Sequence, residues 1–296
     1  MKNGSLYIDG GLEIFVQNGT DGNQTETTGF NTALLQIDLT DSWNWKTNLT
    51  VNEIEKGQNP QTGTDAPLLV RSALYQGTSD DTSFYLYGGT VSFSNTSFPG
   101  WQQPLTAQYA LWSYSTTDQT WSQYDVSQNV PNRPNSGAYM DAPELGLGFY
   151  HNGEIDSGSQ TSLQSLKNFR GFVPGMVVVD TAHQTAKNLS TDALQDTPRA
   201  RHRMVYIPGI GEKGILVTVG GVTKSVYDGS SSSRGSYVCF PYCPVLSCNN
   251  TNSNSYPWPT STSSTSPPWT AATTTQEHGT ANKPPATSPT RVPTSV

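Results

Sequence analysis

Four times along the chain a short apolar run leads into a place that only a residue tolerant of unusual backbone angles fills well. Leu6-Tyr7-Ile8-Asp9 runs into Gly10-Gly11, and Phe84-Tyr85-Leu86-Tyr87 runs into Gly88-Gly89. Ile215-Leu216-Val217-Thr218-Val219 runs into Gly220-Gly221. In the third copy Leu145 to Tyr150 leads to His151-Asn152-Gly153, so one glycine of the pair is replaced. A double glycine at a strand end permits positive φ and close backbone approach, which lets the chain turn tightly beside a neighbouring sheet.

A second apolar run recurs downstream of the pairs. Ala33-Leu34-Leu35-Gln36-Ile37-Asp38, Tyr109-Ala110-Leu111-Trp112-Ser113-Tyr114 and Met176-Val177-Val178-Val179-Asp180 are its three copies. Asp38, Asp118 and Asp180 close them, with Trp43 and Trp45 after the first and Trp121 after the second. After the third, Asn188 lies where a Trp is expected, and after Gly221 the chain has no apolar strand ending in Asp. Copies begin at Arg71, Arg133 and Pro198-Arg199, and the second alone has every feature in order. The intervals exceed the roughly 50 residues of a typical unit of this kind, and the excess falls in polar loops. An internal repeat of strands rich in Val, Ile, Leu and Tyr predicts an all-β fold of stacked small sheets, a β-propeller of about four recognisable blades, incomplete as a ring. The Trp supplies an apolar plate between blades. A β-sandwich with glycine turns is the plain alternative, and it leaves the ordered recurrence unexplained.

Composition divides the chain. Hydrophobic residues make up 33% and charged residues 13% of 296, with 27 glycines and 20 prolines. Many short strands joined by polar turns fit this mixture better than helices do. From Ser225 onward Ser, Thr, Asn and Pro dominate, with Ser230 to Ser233 as a serine run and Pro267-Pro268 and Pro284-Pro285 as breakers. Such a segment buries too little apolar surface to offset chain entropy. The expected division is blades over residues 1–224 and a disordered Ser/Thr/Pro-rich tail over 225–296, either a flexible linker or an O-glycosylated stalk. A net charge of −7 with no basic stripe argues against a nucleic-acid groove. No apolar stretch is long enough for a transmembrane helix, and Met1 to Ser5 does not open a signal peptide.

Candidate chemistry is sparse. His151, His183, His202 and His278 stand apart in sequence from one another and from cysteine, and isolated histidines are more often surface or loop residues. Asp38, Asp118 and Asp180 recur by copy, which assigns them a turn role, accepting backbone N–H groups, rather than a catalytic one. There is no Gly-x-Ser-x-Gly, no phosphate-binding glycine loop and no His-Glu-x-x-His, and Gly209-x-Gly211 sits in a hairpin setting. Cys239, Cys243 and Cys248 are clustered beyond the blades with spacings unlike zinc hooks, so a local disulfide or free thiols is expected. Sequons occur at Asn3, Asn18, Asn23, Asn48, Asn95, Asn188 and Asn249. No catalytic, cofactor or metal residue is assigned.

The strand and glycine motifs at Leu6 to Gly11, Ser72-Ala73-Leu74-Tyr75 with Tyr85 to Gly89, and Glu212 to Val217 before Gly220-Gly221 resemble the kelch-repeat proteins of filamentous fungi, over roughly residues 5 to 223. The resemblance implies a galactose oxidase-like propeller, a Ser/Thr-rich stalk and a place outside the cell or at its surface. It implies a non-catalytic scaffold that binds protein or glycan through blade loops, the loop Phe98-Pro99-Gly100-Trp101 being where contacts are expected. A carbohydrate oxidase on the same scaffold is the alternative. Copper oxidases of that build need His, Tyr and a Cys-modified Tyr on one metal, and no cysteine is read within the blades here. Against the family pattern the chain lacks a signal, the leading strand of its first blade and further blades, which reads as a fragment or an unusual gene product without independent function.

Overall fold

A computed structural model describes residues 4–18, 23–40, 42, 44, 49–92, 109–130, 133–166, 169–194 and 197–223, and the backbone of Tyr237–Pro241. Strand succeeds strand, and short 3-10 turns at Pro143–Leu145, Thr161–Leu163 and Asp192–Leu194 are the helical elements among these residues. Four antiparallel sheets come one after another, as the repeat predicts. The first holds β1 (Ser5–Asp9), β4 (Ala33–Asp38) and β5 (Asn52–Glu55), with a hairpin of β2 (Leu12–Asn18) and β3 (Gln24–Phe30) inserted between β1 and β4. The second is complete, in the order β6 (Val70–Tyr75), β7 (Ser83–Thr90), β8 (Leu111–Ser115), β9 (Thr120–Tyr124). The third runs β10 (Ala138–Ala142), β11 (Leu147–His151), β14 (Met176–Asp180), β15 (Thr185–Leu189), and inserts the small hairpin β12 (Glu154–Asp156) and β13 (Arg170–Phe172). The fourth has a two-stranded base of β16 (Arg199–Ala200) and β19 (Val222–Thr223), and a sheet of β17 (Arg203–Ile207), β18 (Ile215–Val219) and β20 (Tyr237–Pro241).

The fourth sheet corrects one expectation. The sequence reading ends the blades at residue 224, yet β20 pairs along β18 with Val217 opposite Cys239. Blade four therefore has its third strand, and Cys239 lies in it rather than beyond the blades. The serine-rich run before Tyr237 hid a five-residue strand too short to shift composition. Cys243, Cys248 and the remainder of the tail lie outside the described residues, as do Trp43, Trp45 and the Phe98–Trp101 loop.

Period-two alternation packs each blade on the next. In β7, Phe84 and Leu86 face blade one while Tyr85 and Tyr87 face blade three, so the strand is buried on both sides. Leu34, Leu69, Leu86, Trp112, Tyr114 and Trp121 fill the first joint, with the Trp121 ring 5.1 Å from Tyr114. That is the plate role expected for Trp121. Tyr75, Tyr87, Leu111, Tyr150, Val177 and Val179 fill the second. Gly148 makes room there, since a Cβ on it would lie 2.8 Å from the Tyr75 ring. Ala138, Phe149, Met176, Met204 and Leu216 fill the third. Among the described residues the outer faces of the series stay open, with Ile8 41% exposed on blade one and Val205 45% on blade four.

The double glycines do what their spacing implies. Gly10 and Gly11 have φ of 68° and 92°, Gly88 and Gly89 72° and 85°, Gly220 and Gly221 77° and 92°. Asn152 takes the missing glycine's place at φ 50° beside Gly153 at 106°, since its short polar side chain tolerates the left-handed region. The second member of each of the first three pairs reaches into the next blade. Gly11 N–H donates to Leu69 O (3.0 Å), Gly89 N–H to Pro134 O (2.8 Å) and Gly153 N–H to Arg199 O (2.9 Å). The acceptors are evenly spaced along the chain although the glycines are not. The motif is thus a joint between blades.

Candidate functional site

Just after each of these acceptors the chain bends into the inner strand of its blade. Arg71, Ser136 and Arg201 occupy the bend in blades two, three and four, with φ of 61°, 58° and 61°. A non-glycine residue held left-handed costs about 1–2 kcal/mol. The chain uses glycine freely at such angles elsewhere, so a side chain at these three places needs a reason. The backbone links them: Ser136 N–H donates to Arg71 O (3.4 Å) and Arg201 N–H to Ser136 O (2.5 Å). The inner strands of three blades therefore converge on these residues.

A cavity of about 670 Å³ opens at that convergence. Its wall is Arg71-Ser72 from blade two, Ser136 to Tyr139 from blade three and Arg201-His202-Arg203 from blade four. Among the described residues the wall holds three arginines and no acidic residue, in a chain whose net charge is −7. Tyr139 is 45% exposed, and its ring stands edge-on to Tyr75 with centroids 6.2 Å apart.

Beneath the cavity lies a buried polar layer. Glu154, at the start of β12, is fully buried. Its Oε1 accepts from Ser136 Oγ (3.3 Å) and lies 3.5 Å from Arg170 and 3.9 Å from Arg71. One carboxylate set against two guanidinium groups leaves the cluster's excess charge positive. His151 and His202, both fully buried, meet with Nδ1 and Nε2 2.9 Å apart, so one ring donates an N–H to the other. Deeper still, Asp156 accepts from Thr90 Oγ1, Gly158 N–H, Ser159 Oγ and Asn135 Nδ2, and Arg133 donates to Gly158 O (2.8 Å). Burial pulls the Arg133 guanidinium down to about 10, and Asp156 opposes that pull. These bonds tie Ser136 and its neighbour Asn135 to the buried layer, while Glu154 Oε2 is buried without a hydrogen-bond partner among the described residues.

Several sequence expectations are met or corrected by this geometry. Asp180 Oδ1 accepts from Ala182 and His183 N–H, and Asp38 Oδ1 from Thr40 N–H, as the turn role requires. These contacts hold the Asp38 carboxyl below its ordinary range. Asp118 is not their equivalent. Ser115 closes β8 at that register, its Oγ accepting Asp118 N–H and donating to the Asp118 carboxylate. His183 is exposed and pairs with Asp180 inside its turn, 2.9 Å apart, while His278 lies outside the described residues. His151 and His202 are a pair after all, which sequence distance concealed. Gly209 and Gly211 sit in the β17–β18 turn, the hairpin setting expected. Among the described residues no group of three His, Cys, Asp or Glu side chains is arranged to hold a metal ion, and the two facing histidine nitrogens are engaged with each other. No described helix is long and apolar enough to cross a membrane.

Sequence reading missed the residues where the inner strands converge. Their signal was present but weak: Arg71, Ser136 and Arg201 stand two residues ahead of Ala73, Ala138 and Arg203, at the start of each copy.

No family model matches the chain. It is 28% identical over 257 residues to a kelch repeat-containing protein of the fungus Arthroderma benhamiae. The match covers 76% of this chain and 35% of that protein, so the chain spans about a third of the length of the relative.

Proposed function

We propose that this chain, a fungal kelch-repeat protein, is a non-catalytic scaffold that binds a protein or glycan at the cavity where its inner strands converge, and that it works at the fungal cell surface or wall. One observation carries the binding reading. Arg71, Ser136 and Arg201 keep their side chains at left-handed positions that favour glycine, and all three line one cavity. Strained backbone clusters at ligand sites, and here Arg71 and Ser136 also reach the buried Glu154 while Arg201 and Arg203 stand exposed along the same wall. The cavity falls within the range of about 300–1,000 Å³ common to binding sites.

The surface reading is supported by exposed sequon asparagines at Asn18, Asn23 and Asn188. A mass shift of native material on endoglycosidase treatment is the expected result, and no shift contradicts it. The binding reading is tested by passing the purified full chain over immobilised wall polysaccharides and secreted wall proteins. Retention that falls in the Arg201→Asn and Arg203→Gln variants is expected. A folded protein retained on none of them, or retained equally by the variants, contradicts the proposal.

A further inference from the structure

We infer that the open face of blade one docks on the open face of blade four in a second copy of the chain, so that copies associate head to tail.

The strands of both end blades are built for burial on two sides. A sheet face left in water alternates apolar with polar residues, whereas a nearly continuous apolar run belongs to a strand covered on both faces. In β17, Met204-Val205-Tyr206-Ile207 follows Arg203, and β18 reads Ile215-Leu216-Val217-Thr218-Val219. Met204, Tyr206 and Leu216 are taken up by the third joint. Register sets Val205 opposite Val217 and Arg203 opposite Val219, on the other side of the sheet. There Val205 is 45%, Val219 41% and Ile207 37% exposed.

Blade one repeats the arrangement. Tyr7, Leu34 and Ile54 belong to the first joint. Ile8 opposite Leu35, and Leu6 opposite Ile37, fall on the far side, where Ile8 is 41% exposed. Strand β5 adds Glu53 opposite Leu35 and Glu55 opposite Ala33 to that same side, and both glutamates are exposed.

Charge distinguishes the two faces and fits one to the other. The blade-one face carries Glu53 and Glu55, and its strands β1, β4 and β5 contain no Lys or Arg. Glu13 on β2 lies nearby: burial, and then the charge of Glu53, pushes its carboxyl up. The blade-four face carries Arg203, and strands β17 and β18 contain no acid. Two blade-one faces brought together would set glutamates against glutamates, which disfavours a symmetric pair. A blade-four face brings an arginine and three exposed aliphatic side chains instead. The contact is therefore heterologous, with different surfaces on the two copies. The chain already packs apolar sheet faces of this kind at its three joints, and every copy supplies both halves of a fourth.

The test is sedimentation velocity of the purified full chain over a wide range of concentration. Association that grows with concentration is expected. Ile8→Lys and Val205→Glu each reverse the charge of one face, and each is expected to raise the dissociation constant at least about tenfold while melting stays cooperative. Should either variant lose cooperative melting, Ile8→Thr and Val205→Thr keep the β-branched shape and replace them. Mixing the two variants decides the geometry, because one retains an intact blade-four face and the other an intact blade-one face. Association restored on mixing is the expected result. Association lost in one variant alone, kept in both, or lost in both and not restored by mixing overturns the head-to-tail contact. A cooperatively melting, unaltered chain that stays monomeric throughout overturns the second copy as occupant, whether another segment of the chain or a different partner then covers the faces.

Discussion

Alanine at Gly88 puts a methyl carbon 2.3 Å from the Pro134 carbonyl oxygen, on a residue whose φ is 72°. The substitution carries two costs. Holding an L-residue left-handed costs about 1–2 kcal/mol. The carbonyl cannot move away cheaply, because it accepts Gly89 N–H at 2.8 Å and forms the joint between blades two and three. Displacing it strands a buried donor, at about 1–3 kcal/mol. The sum is roughly 2–5 kcal/mol. Gly11 provides the control, since its φ is 92° but a Cβ there meets nothing within 4 Å. Alanine at Gly11 should therefore cost only the backbone term, about 1–2 kcal/mol. Urea denaturation of both variants, monitored by tryptophan fluorescence, measures the difference through the midpoint at constant slope. Trp112 and Trp121 lie in the first joint and report on it. Equal losses at Gly88 and Gly11 would refute the joint, because they would show that the close approach to Pro134 carries no energy.

The same geometry sets other outcomes. Lys56→Met removes the cation 2.8 Å from Asp9, where both side chains are almost fully buried and the ammonium also donates to Pro67 O. A loss of about 3–5 kcal/mol in the melting profile is expected, and it should shrink when Asp9→Asn is added. Burial raises the phenols of Tyr75, Tyr87 and Tyr150 above their ordinary value. The unfolded chain then loses those protons first, so stability is intact below pH of about 10 and falls above it by up to about 1.4 kcal/mol per pH unit for each group. Phenolate absorbance that lags behind free tyrosine until unfolding checks the sign.

How much of this was legible in the sequence varied with what each feature depends on. Glycine pairs and their Asn152 substitute announce a backbone angle directly, so the joints and the order of blades could be read along the chain. Trp121 likewise showed its plate role, because a large ring beside a strand end has few other places to go. Lateral packing was harder to see. His151 and His202 are 51 residues apart and meet only because β11 and β17 lie in successive blades at matching heights. Asp118 passes for an equivalent of Asp38 and Asp180 because a turn residue three positions on imitates the true closing position, held by Ser115. β20 was lost because a five-residue strand inside a serine-rich stretch leaves composition unchanged. Arg71 and Arg201 escaped because a strained φ leaves no mark on a non-glycine residue, whose charge reads as an ordinary solvated side chain.

Function, on this account, resides where the inner strands converge. Amide chemical-shift mapping of the isotopically labelled full chain, titrated with a soluble fragment of the wall component that retains it, tests that placement most directly. The account predicts shifts confined to Arg71 and Ser72, Ser136 to Tyr139, and Arg201 to Arg203. Shifts centred instead on the β2–β3 hairpin or on the outer strands β9 and β15, with those amides unmoved, would contradict it.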